Sequence, residues 1–277
     1  MTCAWLARRL LVFVVVMASL TSPAQTQTLS QEGDQASPPI EVEAENGIEW
    51  QRDKKVVLAR GNARAIRGDT QVRADVLSAH YRERGNGNTE IWRLEADGNV
   101  EIASPTETAY GEKGVYDVET GVLQLSGGDN LRLVSEDTEV RADRHLEFWQ
   151  KKQVLYARGN ASAVQKDNRL DAETLTAFFA KNSEGKTELT RIEASENVKV
   201  TTPEEILRAD EGVYNMETGI ATLTGSVKIT RGRNQLNGCR GEVDMNKGVS
   251  KIFGCKQGSP GAPRVRGLIH PNSTKKN

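Results

Sequence analysis

Two stretches of this sequence are near-copies of each other, separated by a constant offset of 98 residues. The stretch "VLARGNARA" at residues 57–65 returns as "LYARGNASA" at residues 155–163. A single offset held without a gap indicates a structural duplication, and units repeated in this way stack into arrays. We therefore predict two repeat copies, at about 42–139 and 140–237, followed by a terminal hairpin at 238–255.

Within each copy, an alanine followed by an acidic residue recurs at steps of about 30 to 37 residues, the size of one supersecondary unit, when Ala109, at an equivalent place without the acid, is included. Residues that recur in every unit are expected to serve the fold, through turns or sheet edges, whereas catalysis needs a unique constellation of groups. The recurring pairs are Ala44-Glu45, Ala74-Asp75, Ala142-Asp143, Ala172-Glu173 and Ala209-Asp210.

Apolar and polar residues alternate with a period of two between these pairs. Leu94, Ala96, Gly98, Val100 and Ile102 are each separated by one polar residue. Such alternation is typical of strands with one buried face, and turn sequences such as "KDN" and "NKG" separate the stretches. We predict an all-β, mostly antiparallel protein.

Gly61 and Gly159 lie inside alternating stretches, where a turn would not be expected. Glycine weakens a strand unless the chain must bend or a neighbour must come close. We interpret these glycines, with Gly98, Gly127 and Gly225 in similar places, as bulges at which a long sheet curls into a roll. The alternative is a hairpin turn at each glycine-asparagine pair.

The N-terminus predicts a secretory signal peptide at residues 1–24. Arg8 and Arg9 precede an apolar run at residues 10–20, and small residues follow at the expected cleavage site. An uncleaved membrane anchor is the alternative. Cleavage would place the mature chain in an oxidising compartment, and we predict the periplasm once the family resemblance described below is considered.

The remaining chain divides into a folded body at 40–255 and two flanking segments. Residues 25–39 are rich in Gln, Ser and Pro, and residues 256–277 are rich in Pro and basic residues, so both are predicted to be disordered.

The formal net charge of −1 is too balanced for the basic footprint of a nucleic-acid-binding protein. We expect no nucleic-acid partner.

Cys239 and Cys255 are the two cysteines that follow the signal peptide. Residues 246–248 are typical of a hairpin turn, and a turn centred on Lys247 would place the two cysteines opposite each other, within reach of a disulfide. We predict this disulfide.

Because the sequence has no CxxC motif and its three histidines are scattered, we predict no metal site and no cofactor.

The order of these features resembles the OstA/LptA family. The pattern is A-[DE]-x-x-x-Y, a turn, L-x-G-[NS]-x, a short loop and another A-[DE]. It is clearest at residues 209–238, recurs at 142–173 and 109–143, and the resemblance covers about 41–253.

The resemblance implies a fold and a function. The fold is an elongated, twisted antiparallel β-jellyroll that is open at both ends. The function is that of a periplasmic carrier that binds lipopolysaccharide by the acyl chains of lipid A and bridges the inner and outer membranes. The implied partners are other copies of the chain, a bitopic inner-membrane export component and the periplasmic domain of the outer-membrane translocon.

The alternation and the resemblance together give candidate site residues. The candidate edges for assembly are Ile40, Val42, Val243 and Val249. The candidate inward-facing, lipid-binding residues are Val57, Ala59, Ala63, Leu94, Val100, Ile102, Leu123, Leu125, Leu155, Ala161, Val198, Val200, Leu223, Val227 and Ile229.

Motifs that would support catalysis, such as G-x-S-x-G and HExxH, are missing from the sequence, and we predict that the protein is not an enzyme. A carboxylate pair on a β-solenoid is the enzymatic alternative. The principal alternative function is a periplasmic β-rich scaffold that binds protein partners by strand addition and carries no lipid.

Overall fold

A computed structural model describes residues 39–84, 89–255 and 264–270. The predicted signal peptide, the predicted linker up to residue 38 and most of the predicted tail lie outside the described residues. Within the described ranges the regular structure consists of strands alone, numbered here in chain order. They are β1 (Glu41–Glu43), β2 (Ile48–Gln51), β3 (Val56–Arg67), β4 (Thr70–Glu83), β5 (Thr89–Ala103), β6 (Glu107–Asp117), β7 (Val122–Ser126), β8 (Arg132–Ser135), β9 (Thr138–Arg141), β10 (His145–Trp149), β11 (Val154–Gln165), β12 (Asn168–Lys181), β13 (Thr187–Thr201), β14 (Ile206–Asn215), β15 (Ile220–Arg231), β16 (Asn234–Asp244), β17 (Val249–Phe253) and β18 (Arg266–Leu268).

The long strands pair with their neighbours in chain order, and every pairing is antiparallel. β3 to β6 form one such series and β11 to β16 form another. The short strands occur in pairs that share one long neighbour: β7 and β8 both pair with β6, and β9 and β10 both pair with β11. The all-β antiparallel prediction is therefore confirmed.

A bulge interrupts the register in the middle of the long strands. In β3 the register with β4 shifts between Arg60 and Ala63, and Gly61 and Asn62 have φ values of 79° and 43°. The same shift surrounds Gly159 in β11. The strands continue through both sites, so the bulge interpretation is confirmed and the hairpin-turn alternative is wrong. Gly127 differs from this prediction, because it follows the end of β7 and lies outside any strand.

These bulges divide the sheet into two layers, each made of one arm of every long strand. Layer A contains β11 from Val154 to Arg158, with β10 beside it, and layer B contains β11 from Ala161 to Gln165, with β9 beside it. Inward-facing residues of both layers belong to one hydrophobic cluster, in which Val100 and Val227 are each only 1% exposed. The two layers thus fold over a common interior, as a jellyroll requires.

The acidic residues of the alanine-acid pairs hold these bulges. A bulge leaves backbone and side-chain donors outside the regular ladder. A carboxylate accepts from them, either from the adjacent long strand or from the connection between the two short strands that lie beside it. The recurring acids therefore serve the sheet. The hydrogen bonds are Asn62 Nδ2 to Glu45 Oε1 at 3.1 Å, Asn99 Nδ2 to Asp75 Oδ2 at 3.0 Å, Asn160 Nδ2 to Asp143 Oδ2 at 2.8 Å and the Ser226 backbone N–H to Asp210 Oδ2 at 3.0 Å.

The two ends of the sheet remain open in the part of the chain that the structure describes. β1 and β2 pair with β3, and β17 and β18 pair with β16, and the pairing registers give these four strands no other neighbour. Val243 was predicted at an edge, but it is buried in β16, between β15 and β17. The prediction failed because a further strand follows it.

The predicted disordered tail contains a strand. Residues 264–270 include β18, which pairs with Gln235, Leu236 and Asn237 of β16. β17 covers only the layer A arm of β16, so the backbone groups of its layer B arm would otherwise be unpaired. Together β17 and β18 pair with both arms of β16, as β7 and β8 pair with both arms of β6.

The register of the last hairpin is one residue away from the predicted one. Asp244 is opposite Val249 and Arg240 is opposite Phe253, so the turn is centred between Asn246 and Lys247. Cys239 and Cys255 are nevertheless joined by a disulfide, with their Cα atoms 5.0 Å apart. Cys255 lies just beyond the end of β17, where the chain can adjust its position.

Candidate functional site

Most of the predicted inward-facing residues lie in the interior of the roll. Leu123 and Val200 are partly buried and pack against the core, while Val57 and Leu94 are partly exposed. Burial alone does not make a site, because most buried residues contact only other protein atoms. The buried ones are Ala59, Ala63, Val100, Ile102, Leu125, Leu155, Ala161, Val198, Leu223, Val227 and Ile229.

The interior opens into a cavity of about 110 Å³ in the second repeat copy. Both layers line it: Leu155, Leu175 and Ile192 belong to layer A, and Ala163 and Val200 belong to layer B. A smaller cavity of about 20 Å³ lies next to it, and Leu155 lines both. The space between the two layers is therefore incompletely filled.

The sequence prediction identified only part of this lining. Leu155 and Val200 line the larger cavity, and Leu123 and Leu125 line the smaller one. The other predicted residues pack elsewhere in the core or are partly exposed. Ile192 could have been found, because it lies 98 residues after Leu94, but nothing in the sequence distinguishes a cavity wall from a packed core. The prediction also missed Leu175, Leu189, Met216 and Met245.

A row of polar side chains borders the larger cavity on its layer B side. Gln165 at the end of β11 is opposite Thr138 on one side and Asn168 on the other, and all three line the cavity. The row continues through Ser135, whose hydroxyl donates to the Thr138 carbonyl oxygen at 3.3 Å, to Glu107, which is opposite Ser135. We call Glu107, Ser135, Thr138, Gln165 and Asn168 the polar row.

Glu107 differs from the other members of the polar row. It is 6% exposed and faces inward beside Ala109, and its Oε2 atom has no hydrogen-bond partner among the described residues. The nearby hydroxyl of Ser104 is used by the backbone of Glu107 itself. Burial raises the pKa of the Glu107 carboxyl to about 8. At neutral pH this group is therefore mainly a neutral carboxylic acid, which can donate a hydrogen bond.

Both open ends of the sheet expose large apolar side chains. Ile40, Val42, Ile48 and Trp50 are exposed at the N-terminal edge, although the Trp50 indole N–H donates to the Tyr81 hydroxyl at 2.8 Å. At the C-terminal edge the exposed residues are Val249, Phe253, Val265, Leu268 and Ile269. Exposed strand edges with apolar side chains favour the addition of another strand.

The disulfide at the C-terminal edge lies where the preceding unit has a hydrogen bond to a carboxylate, an interaction we call the carboxylate brace. Residues 238–254 repeat the pattern of residues 209–225 at an offset of 29, which places Cys239 at the position of Asp210 and Cys255 at that of Ser226. In the earlier unit the Ser226 backbone N–H donates to Asp210. In the last unit a covalent bond joins the equivalent residues.

Removing the disulfide should destabilise the terminal hairpin, and restoring the carboxylate brace should compensate in part. We expect Cys239→Ala/Cys255→Ala to lower the free energy of unfolding by about 3 kcal/mol, the value for a closed loop of this length. Cys239→Asp/Cys255→Ser should recover about 1 kcal/mol through the hydrogen bond. Urea unfolding of both double variants measures this. Equal stability of the two would contradict the equivalence.

Within residues 39–84, 89–255 and 264–270, no group of three or more His, Cys, Asp and Glu side chains is placed to hold a metal ion. A search of the same residues for a helix long and apolar enough to span a bilayer identifies none.

In comparisons with known proteins, one family model matches most of the chain. The model of the family described as LptA/(LptD N-terminal domain) LPS transport protein matches the chain twice, at residues 41–145 and 139–249. An uncharacterized protein of Rhizobium meliloti (strain 1021) is 25% identical over 160 residues, which are 56% of this chain and 78% of the relative. Among solved structures the chain is similar to LptH, described as the LptA homologous periplasmic component of the conserved lipopolysaccharide transport device from Pseudomonas aeruginosa. The identity is 12% and the TM-score 0.23, over 84% of this chain and 96% of LptH.

Proposed function

The chain belongs to the family of LptA/(LptD N-terminal domain) LPS transport proteins, and from this premise we propose that it is a periplasmic carrier that holds the acyl chains of lipopolysaccharide between its two layers. The family's described role is transport, which is not an enzymatic one. The observation that carries the proposal is the apolar cavity between layers A and B. Burial of hydrocarbon there contributes about 0.8 kcal/mol for each CH₂ group.

The size of the cavity indicates how a lipid would enter. A cavity of similar size, about 150 Å³, holds a benzene molecule in another protein. The present cavity, at about 110 Å³, therefore accommodates a short segment of one chain. Whole acyl chains require the layers to separate further. The side chains that meet across the cavity are mainly apolar, so an acyl chain would replace one apolar contact with another.

Filling the cavity should block lipid binding without unfolding the protein. We expect Ala163→Phe, which places a ring of about the size of benzene in the cavity, to weaken binding of fluorescently labelled lipopolysaccharide at least about tenfold. Ala65, 98 residues earlier, provides the matched control, and Ala65→Phe should leave affinity within about twofold. The measurement is fluorescence anisotropy with circular dichroism of each variant.

Two results would contradict the carrier. Wild-type protein that binds no lipopolysaccharide would favour the scaffold function, in which the edges bind proteins and no lipid is carried. Equal loss of binding in Ala163→Phe and Ala65→Phe would place the site outside the cavity.

We also propose that copies of the chain assemble head to tail, from the N-terminal edge of one to the C-terminal edge of the next. The charges of the two edges support this arrangement. Residues 39–51 at the N-terminal edge contain four glutamates and no basic residue, while the described residues from 249 onward contain Lys251, Arg264 and Arg266 and no acidic residue. Complementary charges favour contact between unlike edges, which generates an open chain of subunits.

The assembly has a direct test. Val42→Lys adds a positive charge to the acidic edge, and Val249→Glu adds a negative charge to the basic edge. Both residues are exposed, so each variant should leave the fold intact and weaken self-association about tenfold, because it opposes the charge complementarity and removes apolar contact area. Val213→Glu is the control. Val213 is about as exposed as Val42 and Val249, but it lies on β14, a strand that is paired on both sides. Light scattering over a range of protein concentrations measures the effect. Unchanged assembly in both edge variants would exclude these edges.

The same edges would contact the export machinery at either membrane. We propose that one end adds to the bitopic inner-membrane component and the other to the periplasmic domain of the outer-membrane translocon. Strand addition at an open edge supplies backbone hydrogen bonds to any partner with a free strand, which is why one geometry can serve all three contacts.

A further inference from the structure

The two repeat copies differ at one inward-facing carboxylate near the end of layer B. In the second copy Glu205 forms an ion pair with Arg231, with Oε2 and Nη2 3.0 Å apart. The equivalent residue 98 positions earlier is Glu107, but the pairing registers place Ser135 where the second copy has Arg231. The cross-strand neighbour of Glu107 is Ser135, whose hydroxyl donates to a backbone carbonyl instead. The first copy therefore has a buried carboxyl group without the cation that its counterpart has.

Keeping such a group has a cost, because a buried polar atom without a hydrogen bond loses its hydration without compensation. Glu107 Oε2 is in this state. Such a group calls for a hydrogen-bond partner, which can be a water molecule or a bound ligand. Glu107 is also continuous with the cavity, because the polar row runs from it through Ser135 to Thr138, Gln165 and Asn168 along the cavity wall.

We propose that the polar row is the subsite for the carbonyl groups through which acyl chains are attached to the polar part of the lipid, and that Glu107 donates a hydrogen bond to one of these carbonyl oxygens. This inference rests on the proposed function and adds the chemical group that is recognised. The hydrocarbon would occupy the cavity, and its ester or amide carbonyl would meet the row at the boundary.

The chemistry of the row favours a carbonyl over a phosphate group. None of its five members is cationic, and a phosphate would need compensating positive charge. Arg169, which also lines the cavity, already donates its Nε–H to Asp171 Oδ1 at 2.7 Å. Burial is the sole cause of the raised pKa of Glu107, with no contribution from a neighbouring charge. A neutral carboxylic acid in apolar surroundings suits a neutral acceptor such as a carbonyl oxygen.

The test compares Glu107→Leu and Glu107→Gln with wild-type protein, using two probes. Labelled lipopolysaccharide carries acyl carbonyls, whereas diphenylhexatriene is a hydrocarbon without a carbonyl group. We expect Glu107→Leu to weaken lipopolysaccharide binding about 2- to 10-fold, the range for one hydrogen bond, and Glu107→Gln, which keeps a donor, to remain within about twofold. Neither variant should change diphenylhexatriene binding.

Glu107→Leu removes an unpartnered buried carboxyl, so it should fold at least as well as wild type, and urea unfolding checks this. Wild-type affinity of Glu107→Leu for lipopolysaccharide would overturn the inference while leaving the carrier function intact. Loss of both probes in that variant would show a structural role and would also overturn it. If wild-type protein binds no lipopolysaccharide, both the proposed function and this inference fail.

Discussion

The Val227→Asp variant is expected to be unfolded at room temperature. Val227 is 1% exposed in the layer B arm of β15, and it packs so closely on β16 that a Cβ added at Gly241 would lie 3.1 Å from its Cγ1 atom. Aspartate would place a carboxylate there with no cation to pair with, a cost of about 4–5 kcal/mol or more. That is comparable with the whole stability of many domains.

Circular dichroism and urea unfolding measure this effect. Val213→Asp is the matched control, because Val213 is 40% exposed on the outer face of β14, and it should change the free energy of unfolding by less than about 0.5 kcal/mol. A folded Val227→Asp variant with near-wild-type stability would show that water reaches the interior at this position. Because Val227→Asp is expected to unfold the protein, this variant tests the fold and cannot report on lipid binding. The cavity-lining Ala163 is the better site for testing lipid binding.

Glu107→Gln should stabilise the protein increasingly as the pH rises. The Glu107 pKa is about 8 in the folded chain, against 4.5 for an unperturbed glutamate. Between these values the folded state keeps a proton that the unfolded state releases, so wild-type stability falls with rising pH. The full difference corresponds to an upper limit of about 5 kcal/mol, reached near pH 8. The glutamine side chain of the variant does not titrate, so the substitution removes this dependence.

Urea unfolding of wild type and Glu107→Gln at about pH 5 and about pH 8 measures this, with stabilities expected to be similar at the lower pH and to separate at the higher one. Glu101→Gln is the control, because Glu101 lies partly exposed on β5 in a surface pair with Arg73, and its effect should stay below about 1 kcal/mol at both pH values. A constant difference between wild type and Glu107→Gln at all pH values would contradict a buried, neutral Glu107.

Local regularities of the sequence predicted the strands and their approximate limits. The alternation from Leu94 to Ile102 falls within β5, and the turn at "KDN" separates β11 from β12. The duplication at an offset of 98 residues predicts two repeat copies at about 42–139 and 140–237, and their boundaries stay a prediction. These signals are local because a period of two and a turn preference depend only on neighbouring residues.

The sequence was less informative where strands from distant parts of the chain meet. Val243 has the alternation of a strand, but whether that strand is an edge depends on β17 and β18 beyond it. The predicted register of the last hairpin differed from the observed one by one residue. The position of the turn fixes every cross-strand pair that follows, so a small error in placing the turn shifts them all.

The sequence by itself therefore determined that this chain forms a duplicated, antiparallel β roll with bulges at its glycine-asparagine pairs. Only the tertiary structure decided which inward-facing residues line a cavity, and that Glu107 is buried without the cation that Glu205 has in Arg231. The physical reason is that alternation reports which face of a strand is buried. How closely the opposite layer approaches that face, and which side chain it brings there, depends on packing between residues far apart in the chain.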